Sequence, residues 1–306
     1  CAVRDDVGLR VALKLLRDGR GTPSAVRRLL AERRVLARLD HPNVARLLDA
    51  GVTENGAPYF AMEYVDGAPL VDACDARQMD VRGRVALFAT VCDAVAYAHA
   101  HHVVHRDLKP ANVFVRADGV VKLLDFGIAK LLAPDDAPGA ASAPAGTPAW
   151  GPTSGMWLMT PRYAAPEQRR GEPVTPASDV FALGLVLEEL LTGRRPPRYA
   201  LAVATLAQAI GAPTDPDASA AVDAAARLRS TTSHRLQRAI AGDLDAIIRR
   251  ATADDPAGRY ADAGQLADDL RLYLADRPVR ARPHTVRYRA AKLVHRIAAY
   301  LARWRR

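Results

Sequence analysis

An α+β fold in two lobes is what this sequence predicts. Strand-like runs fill the first part of the chain, helical runs fill the rest, and no internal repeat is visible. The 306 residues are enough to bury a large core. Hydrophobic residues at 49% and charged residues at 25% are ordinary for a soluble globular protein.

The elements follow in order. Cys1-Ala2-Val3-Arg4 reads like the middle of a strand, and Asp5, Asp6 and Gly8 form a turn signal. Residues 11–16 read as a buried strand. Residues 24–39 carry a helical period, with Val26, Leu29, Leu30, Val35, Leu36 and Leu39 on one side and Ser24 at the N-cap. His41-Pro42-Asn43 ends that helix, and strand-like runs follow at 44–48 and 59–64. After Asp66-Gly67 the pattern turns mostly helical. Residues 81–101 form a long, largely apolar run, and short strands are expected at 113–115 and 121–123. Residues 133–156, rich in Ala, Pro, Gly and Ser with little periodicity, have the composition of a mobile loop. Helices are expected again at 179–192, 199–210, 218–240, 243–252 and 262–275.

Charge is distributed unevenly. The net formal charge is +9, yet residues 277–306 hold ten Lys or Arg and no Asp or Glu. The other 276 residues then hold 33 basic and 34 acidic side chains, a balance of −1. The body is near neutral and the tail carries the excess, so a nucleic-acid partner is not expected. Val286, Ala290, Leu293, Val294, Ile297, Leu301 and Trp304 stand at helical spacing among these basic residues. This is the pattern of a basic amphipathic helix, which suits an anionic membrane surface. The alternative is a helix packed on the large lobe by its apolar face. Three cysteines, Cys1, Cys74 and Cys92, lack metal-type spacing and exclude a disulfide framework. No leader pattern and no run of about 18 apolar residues is present, so the cytoplasm is the expected compartment, with the inner face of the membrane as the place the tail would reach.

Residues 105–112 read His-Arg-Asp-Leu-Lys-Pro-Ala-Asn, and residues 125–127 read Asp-Phe-Gly. Phosphoryl transfer from ATP needs a carboxylate beside the attacking hydroxyl, two oxygen ligands for magnesium and a cation on the phosphates. Asp107, Asn112, Lys109 and Asp125 supply such a set. The order and wording resemble the catalytic and metal-binding loops of the protein kinase family, in its serine/threonine branch. Met-Thr-Pro-Arg-Tyr-Ala-Ala-Pro-Glu-Gln at 159–168 and Pro-Val-Arg-Ala-Arg-Pro at 278–283 look like the bacterial eukaryotic-type (Hanks-type) members.

That resemblance implies a two-lobed protein kinase fold. A small lobe spans 1–62, a hinge 63–66 and a large lobe 67–277, with the activation segment at 125–167 and the basic tail at 278–306. It implies transfer of the ATP γ-phosphate to Ser/Thr hydroxyls of protein substrates, with ATP and Mg2+ as cofactors. Asp107 would orient the hydroxyl, Lys109 would contact the γ-phosphate, and Asn112 and Asp125 would hold the metal. Lys14, in Val-Ala-Leu-Lys, would hold the α- and β-phosphates, braced by Glu32. Backbone groups of Glu63 and Val65 would bind the adenine edge, with Met62 as gatekeeper and Ala12 and Phe114 on the two faces of the ring. Glu167 would pair with Arg259, Asp179 would brace the catalytic loop, and Thr160 would contact that loop. Arg106 would await a phosphate, with Thr153 and Ser154 as the best acceptors and autophosphorylation as the source.

One part of the pattern is missing: no Gly-x-Gly-x-x-Gly precedes residues 11–16. The sequence is expected to begin after that loop and to bind ATP weakly. The alternative is a kinase fold that serves as a non-catalytic scaffold.

Overall fold

The computed structural model describes residues 2–4, 9–15, 36–54, 57–126, 162–194 and 216–303. Strand β1 (Ala2–Arg4), β2 (Leu9–Leu15), β3 (Leu47–Val52) and β4 (Pro58–Glu63) form one antiparallel sheet in the order β1-β2-β4-β3. Ala12 stands opposite Met62 and Lys14 opposite Phe60. Residues 11–16 were expected to be buried, but Leu13 and Leu15 are 43% and 50% exposed. The third strand runs over 47–52 rather than 44–48, and Val44 makes only an isolated parallel bridge to Leu123.

A second antiparallel sheet contains β5 (Gly67–Pro69), β6 (Val113–Arg116) and β7 (Val121–Leu123). The two sheets meet at residues 43–45. Leu123 N–H donates to the Asn43 carbonyl (2.8 Å), Ala45 N–H donates to the Leu123 carbonyl (2.9 Å), and Asn43 Nδ2 donates to the Val121 carbonyl (2.9 Å).

The rest is helical, beginning with α1 (Leu70–Ala76) and α2 (Val81–Ala100). Asp80 caps α2 by accepting from Gly83 N–H (2.7 Å). Val85, Phe88, Val91, Cys92 and Val95 of α2 are fully buried, each worth roughly 1.5–3 kcal/mol for a large side chain. After α3 (Pro166–Arg170), α4 (Pro176–Thr192) runs through the centre of the large lobe, buried almost throughout. Gly193, in the left-handed region at φ 71°, ends it. At Gly184 an added Cβ would stand 2.7 Å from Thr252 and 2.9 Å from Ala251, so the glycine lets α4 and the helix over 243–251 approach closely.

The expected helix over 218–240 is broken. It forms α5 (Pro216–Arg227) and α6 (Ser233–Ile240), separated where Ser230 adopts φ 53°. The break places Arg229 against the buried C-terminus of α4. Its Nε donates to the Leu191 carbonyl (2.6 Å) and its Nη2 to the Leu190 carbonyl (2.9 Å), while Arg84 Nη1 also donates to Leu190 (3.2 Å). Carbonyls at a helix end have no partner within the helix, and here two fully buried guanidinium groups supply one. Burial, with Arg84 alongside, pulls the Arg229 pKa down to about 10.

Helices α7 (Asp243–Ala251) and α8 (Ala263–Leu274) complete the core through Leu244, Ile247, Ile248, Leu266 and Leu270. The following segment is bound to the lobe. Arg280 and Ala281 donate their N–H groups to Asp269, at 2.6 and 2.9 Å, and Tyr260 Oη donates to it at 2.8 Å. Val279 is fully buried. The last helix, α9 (Val286–Arg303), touches the lobe through Tyr288 and Lys292, which meet Asp243 at 2.9 and 2.5 Å. Arg282 adds a third contact at 3.0 Å. Packing of α9 by its apolar face is thereby overturned. Val286, Leu293, Val294, Ile297 and Leu301 are 50–84% exposed, because polar residues on the other side make the contact. Among the described residues, no helix is long and apolar enough to cross a membrane.

The expected helices over 24–39, apart from its last turn, and 199–210 lie outside the described residues, as do the 133–156 segment, Glu32, Thr153, Ser154, Thr160 and Trp304.

Candidate active site

Asp179 organises the loop that carries Asp107. It lies in the first turn of α4, where the helix dipole favours a carboxylate, and is 1% exposed. Its Oδ2 accepts from His105 N–H (2.7 Å) and from His99 Nε2 (2.9 Å), and its Oδ1 accepts from Arg106 N–H (2.9 Å). Arg106 has φ 69°, a conformation costly for any residue but glycine. The bond that Arg106 N–H donates to Asp179, and Gln168 Nε2 donating to the Arg106 carbonyl (3.1 Å), hold it there.

The ring of His105 joins the two motif segments. Its Nδ1 accepts from Asp107 N–H (3.3 Å), so Nε2 carries the proton and donates to the Leu124 carbonyl (2.9 Å). The ring also lies 4.7 Å from that of Phe126. Leu124 N–H donates to the Asn112 carbonyl (2.8 Å). Asn112 Nδ2 in turn donates to the Asp107 carbonyl (2.8 Å) and to Asp107 Oδ2 (3.3 Å). Asp107 and Asn112 are therefore bonded directly, and Leu124 ties Asn112 to the start of the segment that carries Asp125, so the three residues line one wall. Lys109 Nζ sits 2.8 Å from Asp107 Oδ2, with both side chains partly exposed.

Lys14, positioned by the β2–β4 pairing, reaches from the small lobe to Asp125, with Nζ 2.9 Å from Oδ2. Sequence reasoning assigned Glu32 as its brace and did not foresee this contact. At 41% and 30% exposure the pair adds little to stability. Asp125 itself has φ 52°, a second strained residue at the same wall.

At the joint between lobes, Glu63 turns its carboxylate away to Lys122 (2.8 Å) and accepts Arg46 N–H (3.3 Å). Val65, 8% exposed, makes no backbone hydrogen bond among the described residues. Ala12 faces Met62 across the β2–β4 pair, and Phe114 lies on β6 opposite Lys122. Behind Met62 a cavity of about 20 Å3, lined by Leu36, Leu39, Val44, Leu47, Asp125 and Phe126, is no larger than a water needs.

Glu167 and Arg259 form a buried bidentate pair, at 2.7 and 2.9 Å, and Ser178 Oγ donates to Glu167 at 2.7 Å. Burial pushes the Glu167 carboxyl up, but the bonds from Arg259 and Ser178 outweigh it and hold the pKa below the usual range. Arg259 also donates to the Ala177, Ala253 and Asp254 carbonyls, which locks α3 to α4 and to the turn after α7.

Residues 1–260 match the family model described as protein kinase domain. The chain belongs to the protein kinase family. It is 35% identical over 265 residues to the serine/threonine-protein kinase PknB of Mycobacterium leprae, which covers 85% of this chain and 38% of that protein. PknB of Mycobacterium tuberculosis strain H37Rv is 34% identical over 265 residues, with the same shares of 85% and 38%. Serine/threonine-protein kinase Pkn1 of Myxococcus xanthus is 35% identical over 276 residues, 88% of this chain and 35% of that protein. The chain thus spans less than two fifths of these relatives' length, and its likeness is to bacterial Hanks-type kinases.

Protein kinases use ATP and a divalent metal. The donor set at this wall fits such an ion. With Asn112 Nδ2 committed to Asp107, its Oδ1 has no partner among the described residues, and Asp125 Oδ1 is likewise left beside the Lys14 contact. No group of three His, Cys, Asp or Glu capable of holding a metal occurs among the described residues, so the substrate phosphates and water would complete any shell.

Proposed function

We propose that this chain transfers the γ-phosphate of ATP to serine or threonine hydroxyls of protein substrates. The observation that carries the reading is the bonding of Asn112 to Asp107 and of Leu124, next to Asp125, to Asn112, with Lys109 on Asp107 and Lys14 on Asp125.

In this reading Asp107 orients the acceptor hydroxyl and takes its proton as the bond to phosphorus forms. Lys109, beside that carboxylate, neutralises charge on the γ-phosphate. Lys14 does the same at the α- and β-phosphates, with Glu32 as its brace. Asn112 and Asp125 hold the metal, which when bound neutralises charge on the β- and γ-phosphates. Magnesium is the ion proposed, because it takes few protein oxygens and keeps water and phosphate in its shell. The Glu63 and Val65 backbones receive the adenine edge, between Ala12 and Phe114 and in front of Met62. Thr153 and Ser154 are the proposed autophosphorylation sites. A phosphate there would meet Arg106, and Thr160 would contact the catalytic loop. The proposed location is the cytoplasm, where residues 277–306 contact the anionic inner face of the membrane.

The test is phosphate transfer from ATP to serine- and threonine-containing peptides. Asp107→Asn should lower transfer by roughly 10²- to 10⁴-fold without altering the fold, and chelation of magnesium should stop it. Transfer that survives both would overturn the assignment. The scaffold alternative, raised by the missing glycine pattern, is not favoured, since the relatives that match are named serine/threonine-protein kinases.

A further inference from the structure

We infer that α9 docks flat on an anionic lipid surface through the face it turns away from the kinase lobe. This rests on the membrane contact proposed for the tail and assigns its geometry. At about 100° per residue, Val286, Ala290, Leu293, Val294, Ile297 and Leu301 share an arc of roughly 100°. Tyr288 and Lys292 point roughly 180° from the centre of that arc. These two are the residues that Asp243 holds, at 2.9 and 2.5 Å. The lobe therefore grips the polar side of the helix and presents the apolar side outward. Leu293, Val294, Ile297 and Leu301 are 54%, 65%, 50% and 57% exposed.

Charge selects the occupant. Arg287 flanks the stripe on one edge, and Arg289 and Arg296 flank it on the other. All three are exposed and have no ion-pair partner among the described residues. Residues 277–306 contain no acidic residue, so a second copy meeting stripe to stripe would oppose arginine with arginine. An anionic leaflet offers hydrocarbon to the stripe and phosphate to both flanks. Each cation near such a leaflet strengthens binding about fivefold.

The Asp243 contacts fix how the lobe sits above the lipid. Burial raises the Asp243 carboxyl, but hydrogen bonds from Lys292, Arg282 and Tyr288 outweigh it and keep the group ionised.

The test is co-sedimentation of the whole chain with phosphatidylcholine vesicles, with and without phosphatidylglycerol, in the absence of ATP. Binding is expected only to the anionic vesicles. Leu293→Asp with Ile297→Asp should weaken it by a hundredfold or more, and Arg287→Gln with Arg289→Gln and Arg296→Gln by about a hundredfold. Phosphate transfer to a soluble peptide should stay unchanged in both variants. No binding to either vesicle would end the membrane reading as well as its geometry. Binding that survives the aspartate pair but not the glutamine set would overturn the stripe alone. Dimerisation in light scattering, abolished by Leu293→Asp, would give the face to a second copy. Retention of an acidic amphipathic peptide with no vesicle binding would give it to a protein.

Discussion

Asp179 and Asp243 are both buried aspartates in the first turn of a helix, and each accepts hydrogen bonds from three residues. Their partners differ in kind. Asp179 takes two adjacent backbone N–H groups and thereby dictates a strained dihedral at Arg106. Asp243 takes only side-chain tips, from Arg282, Tyr288 and Lys292, and dictates where a segment lies without dictating its backbone. Capture of the backbone shapes a catalytic loop, whereas capture of side chains docks a tail. The two sites should therefore respond differently to the same chemical change.

Substitutions at the catalytic end should have the larger consequences. Asp107→Asn should lower phosphate transfer by roughly 10²- to 10⁴-fold with an unchanged circular dichroism spectrum. Glu167→Gln should destabilise the large lobe by about 3–5 kcal/mol in chemical denaturation, because it leaves the Arg259 charge buried against a neutral partner. Asp179→Ala should cost about 2–4 kcal/mol and also lower transfer, since it removes the carboxylate that accepts from the His105 and Arg106 N–H groups. Asp243→Asn should cost only about 1–2 kcal/mol and leave peptide phosphorylation intact, while proteolysis within residues 277–306 speeds up. Equal loss of transfer in the Asp179 and Asp243 variants would break the contrast.

Acid should act on both ends by the same sign. The Glu167 and Asp243 carboxyls have pKa values held below those of the unfolded chain. Their contribution to stability is full above the unfolded value, near pH 4, and is lost as pH falls through the folded one. Protection of the Val279 N–H, which donates to the Tyr288 hydroxyl that Asp243 holds, should therefore fall on acidification below about pH 4, as read by hydrogen exchange corrected for the intrinsic rate.

How far sequence could see follows from the same contrast. Residues 105–112 and 125–127 are contiguous phrases whose chemistry is local, so a role could be proposed for each before any folding was known. The α+β order and the long helix over 81–100 were legible because periodicity is local too. The Arg84 and Arg229 caps, the Lys14–Asp125 contact, the Lys122–Glu63 pair and the Asp243 cluster join residues 38 or more positions apart, and each charged member alone looks like an ordinary surface charge. The break at 228–232 is a different case, because it does leave a local signal: residues 229–235 hold no apolar side chain, and Thr232 caps α6 by accepting from Arg235 N–H. The direction of α9 was misjudged in one alternative because an apolar stripe says what it avoids, not what its opposite face will bind.

The bonds that tie residues 43–45 to β7 have a mechanical corollary. A stretch of chain laced to the large lobe by two main-chain bonds and one from Asn43 travels with that lobe, although it precedes β3 and β4 in sequence. Any rocking of the small sheet must then pivot at Arg46 and at 64–66, the two places where the chain passes from one body to the other. Glu63, bonded to Arg46 and to Lys122, spans that axle and limits its swing.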